Sequence, residues 1–169
     1  MSLEKLTSLI DLAIERLGRA SAWLTLVMVL VMGLIVVMRY LFRTGSISLQ
    51  ESVIYLNAMI FMVGAAYTLK EQGHVRVDIF YRNLTPLRQA VIDCIGYLLF
   101  LFPCAIFIIY ASWDYVAISW QIREGSAETS GLPFVYLLKS TIIVLAAGLI
   151  LQGVSELGKA IIKFRQSGF

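Results

Sequence analysis

The sequence predicts an all-α integral membrane protein. It would have four transmembrane helices in two hairpins, an N-terminal amphipathic helix at the interface, a long tilted third helix and both termini in the cytoplasm. Three observations carry this prediction. The 169 residues are 59% hydrophobic and only 15% charged, against about 45–50% and about a quarter in soluble domains. The excess is concentrated in long uncharged runs, as lipid requires, and the mean hydropathy is +0.82. Basic residues gather in alternate connections between those runs, as the positive-inside rule demands of a multi-pass chain.

The elements follow in order. Within residues 2–19, Leu3, Leu6, Ile10, Ala13, Ile14 and Leu17 recur at three- and four-residue steps. That spacing suits an amphipathic helix in the bilayer surface, or equally a helical extension of the first span. Residues 20–38 carry no charge. At about 1.5 Å per residue they reach roughly 28 Å, enough to cross the hydrocarbon, and they are too long for a cleaved leader. Arg43-Thr44-Gly45 reads as a turn. Ser48-Leu49-Gln50-Glu51 fits a capping box with Ser48 as N-cap and Glu51 at N3.

Residues 53–69 form the second span. Asn57 is its one strongly polar member, and Gly64, Ala65 and Ala66 make a small-residue patch. Both features suit contact with another helix in lipid. Residues 70–85 form a polar connection, Lys70-Glu71-Gln72-Gly73-His74-Val75-Arg76-Val77-Asp78 and onward, with Gly73 as a helix stop. Val77, Phe80, Tyr81 and Leu84 share one face, which predicts a short interfacial helix. Thr85-Pro86 is an N-cap followed by an N1 proline. Residues 86–122 then stay helical for roughly 55 Å, well beyond the ~30 Å hydrocarbon, so this helix should tilt or project. Pro103 should kink it. Tyr110, Trp113, Tyr115 and Trp120 form an aromatic belt at its far end. Residues 134–154 are the fourth span, which holds Lys139.

Orientation follows from the lysines and arginines. Lys5, Arg16, Arg19, Lys70, Arg76, Arg82, Arg88, Lys159, Lys163 and Arg165 fall on one side, against Arg39, Arg43 and Arg123 on the other. The richer side, with both termini and the middle loop, is therefore cytoplasmic.

Little in the chain suggests chemistry. There is no nucleophile–base pair, carboxylate dyad or phosphate loop, and the net charge of +3 is too dispersed for nucleic acid. Cys94 and Cys104 lie roughly 15 Å apart along one helix, out of disulfide reach and without metal-ligand companions. His74 is the lone histidine. It reads as a loop residue bonded to its surroundings, for instance to Asp78, since a bis-histidine haem needs two. No cofactor or metal is expected. Lys139 is the one charge inside a span, a functional candidate by default. It lies close enough to the outer boundary to snorkel there or to pair with Asp114 or Glu128. Four spans with so few polar groups make a poor solute pathway, so the chain looks like an accessory subunit.

These residues resemble the small membrane subunit, the DctQ-type or Q subunit, of tripartite ATP-independent periplasmic (TRAP) transporters. The resemblance covers nearly the whole chain. It is carried by Gly73-His74-Val75-Arg76-Val77-Asp78 after the second span with Pro86-Leu87-Arg88 beyond it, and by Arg39-Tyr40 after the first. Ser46–Glu51 and Arg123–Glu128 through Gly131-Leu132-Pro133 also fit. Leu49 and Gln50 stand where the family often has a tryptophan and the first of two acids. The resemblance implies a non-enzymatic scaffold subunit in the bacterial inner membrane. Its partners would be a large DctM-type elevator subunit, a DctP-type periplasmic substrate-binding protein and membrane lipid. The transporter would drive ion-coupled symport of an organic acid, with sodium as the expected ion. No substrate residue is expected in this chain. Arg43, Glu51, Arg123, Glu124 and Glu128 are candidate docking residues for the binding protein, and Asn57, Gly64, Ala65 and Ala66 candidate contacts for the large subunit. A haem- or quinone-type membrane anchor and a self-sufficient four-helix exporter are the competing readings.

Overall fold

The computed structural model describes residues 3–71, 73 and 84–167. Every regular element among them is helical: α1 (Leu3–Leu41), α2 (Ile47–Lys70), α3 (Pro86–Gly96), a π turn (Tyr97–Leu101), α4 (Phe102–Gln121) and α5 (Val135–Ser167). Four helical stretches are long and apolar enough to cross a membrane: Leu3–Leu41, Ile47–Lys70, Arg88–Gln121 and Val135–Phe164. The protein is a multi-pass membrane protein. The interfacial helix expected around Val77–Leu84 falls mostly outside the described residues.

The N-terminal segment and the first span are one helix. Nothing interrupts α1 over its 39 residues. Of the six apolar positions at its start, Ile14 is buried and Leu6 and Ile10 are half-buried, whereas Leu3, Ala13 and Leu17 are exposed. Thr7, Ile14 and Gly18 form the buried side of this segment. The start of α2 also differs from expectation. Its N-cap is Ser46, with extended backbone (φ −123, ψ 117), and the Ser46 hydroxyl accepts the Leu49 N–H at 3.3 Å. Ser48 is therefore inside the helix and Glu51 is no capping-box partner. Two serines two residues apart both satisfy the N-cap preference, and only the chain path selects Ser46. Thr85 does precede the N1 proline of α3 with extended backbone, but its hydroxyl makes no capping bond.

Pro103 is accommodated rather than left as a bare break. The Phe102 N–H bonds to Tyr97 O, five residues back, and closes the π turn just before the proline. A proline has no N–H for the carbonyl four residues behind it and its ring collides with that carbonyl. One widened turn relieves the clash while the helix continues.

Helix α5 organises the bundle. It packs against α1, α2, α3, the π turn and α4, while α1 and α2 also pack on each other. Three α5 glycines explain how one helix serves so many neighbours. A Cβ at Gly148 would lie 3.1 Å from Ala66 on α2, one at Gly153 would collide with Leu101 in the π turn, and one at Gly158 would lie 2.8 Å from Thr7 on α1. Five-residue spacing turns each glycine about 140° from the last, so the three face three directions.

Candidate functional site

The antiparallel order of the helices gives the molecule two polar ends. The terminal end gathers the start of α1, the end of α2, the start of α3 and the end of α5. The loop end gathers the connections at 42–46 and 122–134.

Candidate functional residues converge at the loop end. The Glu51 carboxylate accepts the Ser126 hydroxyl and, at 2.6 Å, the Leu132 N–H. The Ser126 oxygen also accepts the Glu128 N–H at 3.1 Å, and the Ser126 N–H bonds to Leu132 O at 3.1 Å. Ser48 donates to Ser130 O. Connection 122–134 is thus fastened onto the first turns of α2. Gly131 is required there, because a Cβ would strike Ser126 and lie 2.7 Å from a Glu51 oxygen.

Beside this fastening, Lys139 reaches Glu124 at 2.5 Å and lies over the Tyr115 ring, 3.9 Å from its centroid. The bond from Lys139 holds the Glu124 carboxyl below its usual range. Lys139 therefore has an acidic partner, but it is Glu124 rather than Asp114 or Glu128. Trp120 donates to Ser140 Oγ at 2.7 Å and meets Tyr136 edge-on.

The five docking candidates thus divide. Glu51 and Glu124 are engaged within the chain. Arg43, Arg123 and Glu128 are exposed. Arg43 (φ 53) and Arg123 (φ 50) are the two non-glycine residues with left-handed backbone among those described. Arg123 occupies the position after α4 that usually belongs to glycine: its N–H bonds to Trp120 O and the Glu124 N–H to Ser119 O, the paired bonds of a Schellman ending. Its guanidinium stands 5.7 Å from the centre of the Tyr136 ring.

The proposed large-subunit contacts divide as well. Asn57 is exposed on α2, whereas Ala66 is buried against Gly148 of α5. Ala66 is thus used inside the chain. Gly64 and Ala65 are half-buried. Of the motif loop, Gly73 is described, and its N–H bonds to Thr68 O at 2.9 Å. His74, Val75, Arg76 and Asp78 lie outside the described residues. Among the described residues no three histidine, cysteine or carboxylate side chains gather as a metal site.

Sequence reasoning missed a buried polar cluster at the terminal end. Asp11 accepts Ser155 Oγ at 2.6 Å, Gln152 Nε2 at 3.1 Å and Lys159 Nζ at 3.1 Å. Gln152 also donates to Glu156 at 2.9 Å, and Lys159 pairs with Glu156. One turn along α1, Glu15 holds Lys70 of α2 at 3.0 Å and pairs with Arg19. The signal was available: Gln152, Ser155, Glu156 and Lys159 fall on one helical face near the end of an apolar helix.

Comparison with known proteins places these features in context. The family described as Tripartite ATP-independent periplasmic transporters, DctQ component, matches residues 10–162. A protein of Haemophilus influenzae, provisionally named a TRAP transporter small permease protein, is 33% identical over 99 residues. The match spans 58% of this chain and 58% of that relative, less than two thirds of either. No solved structure matches.

Proposed function

Because the chain belongs to the DctQ component family of tripartite ATP-independent periplasmic transporters, we propose that it is the scaffold subunit of such a transporter. It supports a large elevator subunit through its apolar flank and helps a periplasmic binding protein dock at its loop end. The transporter takes up an organic acid coupled to an ion. The chain lies in the inner membrane with its termini in the cytoplasm and the loop end outside. As a transporter component it is no enzyme, and the redox-anchor and exporter readings lose their ground.

The scaffold role rests on how little of its apolar surface the chain covers itself. In the most apolar window of each span only 6–22% of the residues are buried within the chain. Trp23, Phe100 and Phe107 are among the large side chains left outside. Lipid or a second membrane protein must cover them. The docking role is supported by Arg43 and Arg123. Non-glycine residues in the left-handed region cost roughly 1–3 kcal/mol and tend to persist at functional positions. Here both are exposed arginines at the end assigned to the outside.

One experiment tests both halves. The complex is purified from native membranes, and binding of its periplasmic protein is measured with Arg123→Glu and Glu128→Lys. We expect a large multi-span chain to co-purify with wild type and both variants, and docking to weaken in the variants. Purification without such a chain would end the scaffold reading. Unchanged docking would end the docking reading.

A further inference from the structure

We infer that Glu51 is a positioning residue: it fastens connection 122–134 to α2 and so holds Arg123 and Glu128 in the arrangement a docking partner meets. The inference rests on the docking reading above and assigns Glu51 a different role within it, since Glu51 would not itself meet the partner.

The geometry carries it. One carboxylate of α2 accepts from two points of the connection six residues apart, the Ser126 hydroxyl and the Leu132 N–H. These points bracket the exposed stretch Ala127–Ser130. The Ser126 oxygen passes the restraint on by accepting the Glu128 N–H, so the backbone that presents Glu128 is fixed through Ser126 to Glu51. The Ser126 N–H bond to Leu132 O and the Gly131 N–H bond to Glu128 O close the same loop on itself. An ionised carboxylate suits the task, because it is acceptor-only and can take both donors at once. On the far side the connection leaves α4 through the left-handed Arg123. With Glu51 removed, the loop would keep its internal backbone bonds. Of its hydrogen bonds to α2 among the described residues, the Ser48 bond to Ser130 O would remain.

The test needs no knowledge of the substrate. Ala127 is exposed, so Ala127→Cys is introduced into the complete complex in proteoliposomes. A membrane-impermeant maleimide then reports how freely the loop moves. Affinity of the purified periplasmic binding protein is measured on the same vesicles. Glu51→Ala should speed labelling and weaken docking by about tenfold each, the scale of one lost charge-assisted hydrogen bond. Glu51→Gln should restore much of both, because its amide oxygen still accepts the Leu132 N–H and its amide nitrogen can donate to Ser126. Gly131→Ala should reproduce Glu51→Ala from the loop side, which covers the case in which Glu51→Ala fails to assemble.

Unchanged labelling in both Glu51→Ala and Gly131→Ala would overturn the fastening. Faster labelling with undiminished docking, while Glu128→Lys does weaken docking, would overturn the positioning role and leave the docking reading intact. Docking indifferent to Glu128→Lys and Arg123→Glu alike would instead overturn the docking reading.

Discussion

The terminal and loop ends are both polar, yet they are joined in different ways. At the terminal end, charges are drawn into the contact between helices. Asp11 gathers Gln152, Ser155 and Lys159, and Gln152 and Ser155 are wholly buried. Glu15 ties α1 to Lys70 of α2. At the loop end, Glu51 and Lys139 each secure connection 122–134, and Arg43, Arg123 and Glu128 remain exposed. One end spends its charges on holding three helices together. The other keeps charges in reserve and fixes the backbone that presents them. On the proposed docking role, stability and recognition fall at different ends, and substitutions can test the separation.

The largest effect on stability should come from Asp11→Ala. It takes the shared acceptor from the buried Gln152 Nε2 and Ser155 Oγ, leaving Gln152 with Glu156 and Ser155 with a longer bond to Thr7 O at 3.3 Å, and removes one partner of Lys159. Losing a hydrogen bond to a charged group costs about 1.5–3 kcal/mol. Thermal unfolding of the purified protein should show a clear loss for Asp11→Ala and almost none for Glu128→Ala at the exposed loop. Equal losses would erase the distinction between the ends.

Space tells the same story. A Cβ at Gly18 would lie 2.7 Å from the Tyr67 Cβ and closer still to its ring, whereas a Cβ at Gly45 would meet nothing within 4 Å. The Tyr67 Cβ is anchored to the α2 backbone and cannot swing aside. Gly18→Ala should therefore destabilise by about 1–3 kcal/mol through overpacking, and Gly45→Ala should leave the melting temperature near that of wild type. A tolerant Gly18 would mean that α1 and α2 adjust to one another more freely than their contact implies.

The sequence made the four spans plain because length and absence of charge are strong signals. It also placed the start of α3 at Thr85-Pro86 and a disturbance at Pro103, since proline acts locally. What it hid depended on partners distant in the chain. The α5 glycines at 148, 153 and 158 do not form a four-residue small-residue stripe, because each meets a different neighbour. By sequence Ala66 suits a surface for another subunit, but Gly148 of α5 lies opposite it. For Lys139 the sequence leaves open snorkelling or pairing with an outer acid such as Asp114 or Glu128; the pairing with Glu124 depends on how connection 122–134 folds back. Arginine gives no forewarning of a left-handed backbone, which sequence patterns assign to glycine or asparagine.

Acid should loosen the loop end at Glu124. Glu124 has its carboxyl lowered from the ordinary value of 4.5 by the bond from Lys139. A depressed carboxyl contributes stability that is present above the unfolded value and lost as pH falls through the lower folded value. The difference in melting temperature between wild type and Glu124→Gln should therefore hold from neutral pH to about the ordinary value of 4.5, narrow as pH falls through it, and be gone below the lowered folded value. A gap that closed well above 4.5 would mean that Lys139 does not hold Glu124 in the way the geometry requires. The effect is smaller than those at the terminal end because Glu124 is partly exposed, whereas Asp11 serves the wholly buried Gln152 and Ser155.

The smallest change in stability should accompany one of the clearest losses of function. Arg123→Gly removes a side chain from a left-handed position, which relieves backbone strain. It also adds freedom to the unfolded chain, which costs about 0.5–1 kcal/mol. The contact with the Tyr136 ring goes as well, worth about 0.5–1 kcal/mol at an exposed site. Relief and losses run in opposite directions, so the melting temperature should move little. Arg123→Ala keeps the strain, loses the same contact and should be the less stable of the two. Both variants lack the guanidinium and should dock the binding protein equally poorly. If Arg123→Gly docks as well as wild type, the left-handed arginine serves only to end α4, and the loop end loses its strongest claim to recognition.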